Sequence, residues 1–384
     1  MRGHIRKHRQ NSWAIVMELP RGSDGKRKQQ WITVKGTKKD AERELTVLLN
    51  RQDKGIHIKP DKSTVGEYLR QWLADYAAVN VRPRTYERYR QIVEHLIPAL
   101  GSLPLVNLQP HHVQSYYSQA LISGRRDGKG ALSALTVHHH HRVLFEALRY
   151  AVKHEMLARN VCESVDPPRP SHRQLTTTGR EGVNRLLEAV RDTIYYPIFY
   201  TAIYTGLRRS ELLGLRWKNV DLDFATMYIT EGMHKLKKGE YIFTEPKSKR
   251  GKRSIDLSPS LAILLRHHKE EQSALRESLG GKLQGDDLVF SHADGAAYDP
   301  DSITKAFRRV ANSTGLNGMR FHDLRHCHAS LMLQQGVNVK VISERLGHSG
   351  VAITLDTYSH VLPGMQEAAA QRFDKFMHPV ASEV

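Results

Sequence analysis

Apolar and polar side chains alternate near the start of the chain, a pattern that predicts two short β-strands. Trp13, Ile15 and Met17 are two positions apart, which is the repeat of a half-buried strand. A turn rich in glycine and charged residues, Arg21 to Lys28, separates this strand from a second one around Trp31 to Val34. The pattern therefore predicts a small sheet.

A helix is predicted directly after the second strand. Thr37 with Asp40 resembles the capping box that opens many helices, and Gly55 marks the end. Its apolar face consists of Ala41, Leu45, Leu48 and Leu49. A small sheet and one helix bury little surface, so the charges and edges of residues 1–60 stay free to meet a partner.

Residues 61–170 repeat apolar side chains every three or four positions, which predicts four amphipathic helices. The first begins at a second capping box, Thr64 to Glu67. The other three cover residues 85–96, 110–122 and 135–157. Proline and glycine are expected to separate the helices at Pro98, Gly101, Pro104 and residues 124–130.

A proline-rich segment, Asp166 to Pro170, is the clearest boundary in the chain, because its three prolines forbid a helix and stiffen the backbone. We therefore expect three domains, covering residues 1–60, 61–170 and 173–384. The predicted fold class is mainly α with small β-sheets, an α+β multidomain protein.

The histidine run His138 to His141 lies within the fourth predicted helix. Consecutive helical positions point in different directions, whereas metal chelation by a helix needs ligands at i and i+4. We expect these histidines to line a helix face and predict no metal site there.

The charge of the chain narrows the choice of partner. Its 384 residues include 58 Lys and Arg against 40 Asp and Glu, a net charge of +18 and a pI near 9.8. Residues 1–60 carry 15 basic against 6 acidic side chains, so they hold half of the net positive charge. A field of this sign favours a polyanion, nucleic acid first and an anionic membrane surface second.

Membrane insertion and secretion are not expected. No stretch approaches the roughly 18 apolar residues of a membrane span, and the charged N-terminus lacks the apolar segment of a secretory signal. The two cysteines, Cys162 and Cys327, are too few for a disulfide framework. These features predict a cytosolic protein.

Three blocks supply groups that could act on a phosphate. TGLRRSELLGLRW begins at Thr205 and places Arg208 in the first turn of a predicted helix after Gly206, where free backbone N–H groups favour an anion. Glu211, one turn further, is placed to orient neighbouring basic groups. Between this block and the next, strands are predicted at residues 227–230 and 241–244, followed by a basic hairpin from Lys247.

HDLRHCHAS begins at His322 and puts this histidine and Arg325 on one helix face, with Asp323 and His326 expected to point elsewhere. A guanidinium offers a planar fork of donors for phosphate oxygens, and a histidine can move a proton near neutral pH. The third block, LGHSGVAITLDTYSHV, contains His348 and Tyr358.

In this order and spacing, the blocks resemble the tyrosine recombinases, more narrowly the phage-type integrases. The resemblance is specific from Thr205 to Val361 and weaker before it. It implies an arm-type DNA-binding domain at 1–60, a helical core-binding domain of the SAM-like type at 61–170 and a catalytic domain at 173–384. Cys327 departs from the family, which more often has a small residue such as threonine there.

The resemblance also implies a mechanism. The expected catalytic residues are Arg208, Lys247, His322, Arg325, His348 and Tyr358. The two arginines and His348 would hold one DNA phosphate while Tyr358 attacks it and His322 helps to accept its proton. A hairpin lysine would protonate the leaving 5′-oxygen; Lys247 fits best, and Lys249 and Lys252 remain competitors. No metal, ATP or other cofactor is expected, since the phosphotyrosyl link keeps the bond energy.

The partners implied by the resemblance are double-stranded attachment sites of core and arm type, with the protein forming a homotetramer on DNA. A DNA-bending host factor and an excisionase are further expected partners, in the nucleoid of a bacterial host. The apolar residues Met365, Ala369, Phe373 and Phe376 predict an amphipathic C-terminal helix. In the family such a tail docks on a neighbouring subunit; packing on its own domain is the alternative.

Other interpretations of the sequence stay open. A conjugative-transposon recombinase or a Xer-like resolvase would carry the same motifs, although the basic N-terminal region argues against the second. A type IB topoisomerase shares the chemistry but does not join two sites. A non-catalytic DNA-binding regulator could retain the fold, and the filled catalytic positions argue against it.

Overall fold

The computed structural model describes residues 3–9, 11–19, 28–53, 63–171, 177–236, 239–246 and 248–358, with the separate positions 370, 371, 373, 374, 377 and 378. Contacts between Cα atoms divide the chain into two units, Met1–His172 and Arg173–Val384. Helices dominate both units and small sheets accompany them, so the predicted fold class is confirmed. Within the described ranges, each helix is too short or too polar to cross a bilayer.

The first unit begins with a three-stranded antiparallel sheet followed by a helix. Strands β1 (Gly3–Arg9), β2 (Ser12–Leu19) and β3 (Lys28–Lys35) pair in that order, and helix α1 covers Lys38–Asp53. The two predicted strands and the helix are confirmed. The first strand was not predicted, because GHIRKHR has few apolar residues and pairs with β2 along one edge through its backbone.

The remainder of the first unit is helical. Helix α2 (Val65–Trp72) continues through a π-helical turn, Leu73–Ala77, into α3 (Ala78–Asn80). Helices α4 (Pro83–Leu100), α5 (Pro110–Ser123) and α6 (Ala134–Lys153) complete it. The backbone N–H groups of Thr64 and Glu67 each bond to the other's side chain, at 2.7 and 3.2 Å, so this capping box is confirmed.

Pro98 does not separate two helices as expected. It lies inside α4, which continues to Leu100. The fixed φ of proline is compatible with a helix, and its cost includes the one hydrogen bond that its missing N–H would have made. With so little helix left after Pro98, that cost is tolerated.

Two members of the histidine run bond to tyrosines of α5. The hydroxyl of Tyr116 lies 2.6 Å from Nδ1 of His140, and the hydroxyl of Tyr117 lies 2.8 Å from Nδ1 of His141. Burial lowers the pKa of His140 to about 4. These two rings therefore join α6 to α5 within the core of the unit.

The second unit contains eight helices and five strands among the described residues. The helices are α7 (Arg180–Glu188), α8 (Tyr196–Thr205), α9 (Arg209–Leu213), α10 (Pro259–Ser278), α11 (Pro300–Ser313), α12 (Asp323–Gln334), α13 (Val339–Leu346) and α14 (Val351–Tyr358). The strands are β4 (Val220–Asp221), β5 (Thr226–Ile229), β6 (Gly232–Lys235), β7 (Tyr241–Thr244) and β8 (Arg253–Asp256). Phe199, Phe307 and Phe321 meet edge to face in the core.

The strands of this unit form two separate antiparallel sheets, β4-β5-β8 and β6-β7. The predicted strands at 227–230 and 241–244 are present, but the predicted basic hairpin is wrong. The described part of that segment is a 3₁₀ turn, Lys249–Gly251, leading into β8, which pairs with β5 rather than with β7. Met227 and Ile255 face each other in this pairing and are both buried, so core packing selects the partner.

Candidate active site

A buried carboxylate organises two arginines that are far apart in sequence. Glu211 accepts a 2.6 Å hydrogen bond from Arg208 and a 2.9 Å hydrogen bond from Arg253, and it is 5% exposed. Burial raises the pKa of the Glu211 carboxyl, but Arg253 and Arg208 outweigh this effect and lower it to about 2. The expected orienting role of Glu211 is therefore consistent with its contacts.

Arg208 stands at the N-cap of α9, as the break at Gly206 predicts. Its backbone N–H, expected to be free for an anion, donates instead to Glu211 at 3.1 Å. The capping side chain takes this donor because it lies one turn along the same helix. A phosphate would therefore meet the guanidinium of Arg208, which is partly exposed.

Arg325, near the start of α12, is almost fully buried and bridges two helix ends. Its guanidinium donates to the carbonyl of Gly206 at 2.9 Å and to that of Leu346 at 2.6 Å. Gly206 has a φ of +66°, and a Cβ there would lie 2.7 Å from the ring of His328. Burial and the neighbouring Arg208 lower the pKa of Arg325 to about 9, so it keeps its charge at neutral pH.

The two guanidinium groups converge on the end of α13. Arg208 donates to the carbonyl of Gly347 at 3.3 Å, and Arg325 donates to the adjacent carbonyl of Leu346. His348 follows directly in the chain. The structure therefore brings together three of the predicted residues around positions 346–348.

His348 is held in a neutral form. Its Nδ1 lies 2.7 Å from the hydroxyl of Thr354. Burial, then the charges of Arg325 and Arg208, lower the pKa of His348 to about 4. When the Thr354 hydroxyl donates to Nδ1, Nε2 keeps the ring proton and can donate to a phosphate oxygen.

Tyr358 ends α14 with its side chain 1% exposed. Its hydroxyl lies 2.8 Å from Nδ1 of His326, so the expectation that His326 points elsewhere is wrong. Positions four apart on a helix differ by about 40° in direction and positions three apart by about 60°, so His326 shares the face of His322. Burial raises the pKa of Tyr358 to about 12, although Arg325 opposes this.

His322 precedes α12 and stands edge-on to His326, with ring centroids 5.1 Å apart. Burial, then His326 and Arg325, lower the pKa of His322. It is thus neutral at pH 7, and its ring meets that of His326, which in turn bonds to the tyrosine hydroxyl.

The lysine assignment stays a prediction. Lys247 lies outside the described residues. Lys252 donates to Glu245 at 2.7 Å in an exposed ion pair.

Sequence reasoning missed two residues of this site, Arg253 and His326. Arg253 is 42 positions from Glu211, and the residues around it in β8 give no sequence signal for this pairing. His326 could have been found from its spacing of four to His322. Within the described ranges, no group of three or more His, Cys, Asp or Glu side chains is arranged to hold a metal ion.

Chemically, the site can bind a phosphate diester and present a nucleophile. Two guanidinium groups and the N–H of a neutral histidine can donate to phosphate oxygens. The phenol of Tyr358 lies beside a neutral imidazole. Such fixed donors stabilise the charge that develops when a phosphate is attacked.

Comparisons with known proteins agree with this chemistry. Residues 177–364 match the family described as Phage integrase family, and residues 64–121 match the N-terminal SAM-like domain of phage integrases. Together these matches cover well over half of the chain.

Relatives extend the similarity over nearly the full length. A protein named tyrosine recombinase XerC-like, from Caldanaerobacter subterraneus subsp. tengcongensis, is 26% identical over 95% of this chain and 96% of its own. The ICEBs1 integrase of Bacillus subtilis is 25% identical over 90% of this chain and 92% of its own.

Solved structures share the fold. The Tn1549 transposon integrase in complex with circular intermediate DNA has a TM-score of 0.67 at 18% identity, covering 81% of this chain and 99% of that one. A lambda integrase tetramer bound to a Holliday junction has a TM-score of 0.56 at 17% identity, covering 91% and 96%.

Proposed function

The chain belongs to the phage integrase family of tyrosine recombinases, and from this premise we propose how its residues carry out strand cleavage. It is a site-specific DNA recombinase that cleaves and rejoins strands. One observation supports our assignment. Arg208 and Arg325 both donate to carbonyls directly before His348, and Arg325 also acts on the pKa of Tyr358.

In the proposed step, Arg208 and Arg325 bind the non-bridging oxygens of one DNA phosphate and His348 donates a further hydrogen bond. Tyr358 attacks phosphorus in line. The family resemblance assigns His322 to assist in removing the phenol proton, and Lys247 is our choice to protonate the leaving 5′-oxygen.

The product is a 3′-phosphotyrosyl link and a free 5′-hydroxyl. A 5′-hydroxyl of a second strand reverses the step, which joins the strands. The adduct stores the energy of the broken bond, so this scheme needs no ATP and no metal.

We assign residues 1–60 to arm-type sites, residues 61–170 to the core site and residues 173–384 to catalysis. Half of the net positive charge in residues 1–60 supports the first assignment. The proposed assembly is a homotetramer on paired attachment sites, with a DNA-bending host factor and an excisionase as accessory partners in the bacterial nucleoid. The lambda integrase tetramer supports the assembly by its shared fold.

Two kinds of relative bear on the mobile element that this integrase would serve. A phage integrase and the Tn1549 transposon integrase are both similar to this chain, so we keep a conjugative transposon as the second candidate after a phage. The XerC-like relative is similar over 95% of this chain, which weakens the argument that an N-terminal extension excludes Xer-like enzymes.

A suicide-substrate assay tests the proposal. Nicked duplexes made from the ends of the encoding element lose a short fragment on cleavage, which traps the covalent adduct for a denaturing gel. Tyr358→Phe should abolish the adduct and leave DNA binding nearly intact, because it removes one oxygen and no proposed phosphate ligand. Tyr228→Phe, at a half-exposed tyrosine of β5, is the matched control and should keep the adduct. An adduct formed by the Tyr358→Phe protein would refute the assignment of the nucleophile.

A further inference from the structure

The hydroxyl of Tyr358 has a specific imidazole partner. Among the described residues, it hydrogen-bonds to Nδ1 of His326 and not to His322. The two rings have centroids 5.6 Å apart at an interplanar angle of 56°. A phenol can donate this bond only when Nδ1 carries no proton, which leaves the ring proton on Nε2.

His322 is less well placed for the same task. Its ring is perpendicular to that of His326 and touches the other histidine rather than the phenol. His322 precedes α12 and His326 lies in its first turns, but His326 is the one that reaches the side chain of Tyr358 on α14.

We propose that His326 is the group that takes the proton of Tyr358 during strand cleavage, and that His322 acts as a positioning residue behind it. This inference rests on the proposed function, adds His326 to its catalytic residues and gives His322 a positioning role in place of proton removal. As the phenol oxygen bonds to phosphorus, its O–H bond breaks and the proton moves to Nδ1 of His326. The bond from phosphorus to the 5′-oxygen breaks, and that oxygen takes a proton from the general acid, for which Lys247 is our choice.

The charges around His326 suit a group that accepts a proton and returns it. Burial lowers the pKa of His326, so the ring is neutral and able to accept at pH 7. Asp323 favours the protonated ring, whereas Arg325 and Arg320 oppose it. Six titratable or charged groups face His326. Asp323 and Arg325 belong to α12, and His322 and Arg320 come just before that helix. Tyr358 comes from α14 and His348 from the loop before α14. Because these charges oppose one another, His326 can return the proton to the tyrosine when the strand is rejoined.

The test separates proton transfer from hydrogen bonding. In His326→Asn, an amide oxygen can still accept the bond from Tyr358 but cannot take the proton. General bases contribute about a hundredfold to ten-thousandfold, so we expect single-turnover adduct formation to slow by about a hundredfold or more. His267→Asn, at an exposed histidine of α10, is the matched control and should leave the rate unchanged.

Rescue by a more acidic phenol gives the decisive readout. A fluorinated tyrosine introduced at position 358 needs less help to lose its proton, so it should restore most of the rate of His326→Asn. A 5′-bridging phosphorothiolate substrate relieves the general acid instead and should not restore it. In the wild type, the rate should fall at acidic pH as His326 becomes protonated, and His326→Asn should lose this acidic limb.

Several results would overturn the inference. A wild-type rate and acidic limb in His326→Asn would show that His326 is dispensable, and faster cleavage would show that its contact only holds the tyrosine back. A slow variant that the fluorinated tyrosine leaves unchanged would assign a structural role. His326→Gln replaces His326→Asn if the latter fails to bind DNA, with the same expectations. Absence of adduct in the wild type would instead refute the proposed function.

Discussion

The carboxylate of Glu211 and the guanidinium of Arg253 form a buried ion pair with an N–O distance of 2.9 Å, and both side chains are less than a tenth exposed. Arg253 also donates to the carbonyl of Arg345 at 2.6 Å. The pair therefore joins α9 and β8 to the end of α13, where the proposed phosphate ligands converge. Glu211 also bonds to Arg208. The orientation of Arg208 therefore depends on the Glu211–Arg253 ion pair, which itself does not need to contact DNA.

We expect Glu211→Gln to destabilise the second unit by about 3 kcal/mol, because it leaves Arg253 buried without a countercharge. Hydrogen exchange of α9 and β8 under increasing urea, measured in the full chain, reports this loss. In the wild type, the contribution of Glu211 is fully present above its ordinary pKa of 4.5 and is lost as the pH falls toward its lowered value of about 2. Glu211→Gln should remove this dependence.

An exposed pair supplies the control. Glu188 and Arg191 lie 2.8 Å apart and are each about two-thirds exposed. Glu188→Gln should cost less than about 1 kcal/mol, as surface ion pairs do. Equal costs for the two substitutions would contradict the structural role assigned to Glu211.

Replacement of either arginine proposed to bind the phosphate should severely slow cleavage. Arg208→Ala or Arg325→Ala should slow cleavage by more than about a hundredfold, as expected for the loss of an oriented transition-state donor. Arg325→Lys should rescue little, because one ammonium cannot reproduce a fork that reaches both Gly206 and Leu346. Rates of adduct formation on suicide duplexes measure these effects. Arg191→Ala, on the surface, should cleave normally; a mild defect in Arg325→Ala would remove it from the proposed site.

Local signals predicted much of this fold, and long-range packing decided the rest. The capping box at Thr64 and the break at Gly206 depend on neighbouring residues, so the sequence predicts them. The partner of strand β8 and the pairing of Glu211 with Arg253 depend on segments about 30 to 40 positions away. The spacing of apolar residues along the chain does not indicate which distant segments pair. His326 is a different case, because its spacing of four from His322 is local and indicates a shared helix face.

Single replacement of Lys247, Lys249 and Lys252 should give one severe defect, which we expect at Lys247. Lys252 already forms an exposed ion pair with Glu245, and its replacement should change the rate little. A substrate with a 5′-bridging phosphorothiolate has a leaving group that needs no proton, so it should rescue only the general acid. Adduct formation on this substrate and on ordinary DNA gives the measurement. Rescue at Lys249 or Lys252 would move the assignment.

Deletion of residues 1–60 should spare binding to the core site and abolish binding to a second class of site. These residues hold half of the net charge and lack a catalytic motif. In gel-shift titrations, the salt dependence of binding should fall by about one unit of log–log slope for each DNA phosphate that the shortened protein no longer neutralises.

A sharper variant keeps the domain folded. Arg6, Lys7 and Arg9 lie exposed on the edge strand β1, so their joint replacement by glutamine should weaken arm-site binding without disturbing the buried strand β2. Unchanged affinity of the deletion protein for complete attachment-site DNA would exclude the arm-binding role.

The C-terminal tail should act on a neighbouring subunit. Of the predicted apolar stripe, Phe373 is a described residue and is 65% exposed, while Met365, Ala369 and Phe376 lie outside the described residues. Met377, one turn after Phe373, is 57% exposed, and the backbone bond from His378 to Asp374 supports a helical turn there. Exposed apolar side chains on a helix need a partner surface, which supports docking in trans.

Truncation after Val361 should preserve binding to a single site and destroy synapsis and regulated cleavage, as read from gel shifts and adduct formation on paired sites. Phe373→Ala should weaken synapsis, whereas Phe224→Ala, at a phenylalanine 83% exposed elsewhere in the unit, should not. Mixing the truncated protein with full-length Tyr358→Phe separates the two roles, because one chain keeps the nucleophile and the other keeps the tail. Docking in trans predicts that the mixture cleaves while each protein alone does not. Normal synapsis by the truncated protein would show that the tail packs on its own domain or has no part in assembly.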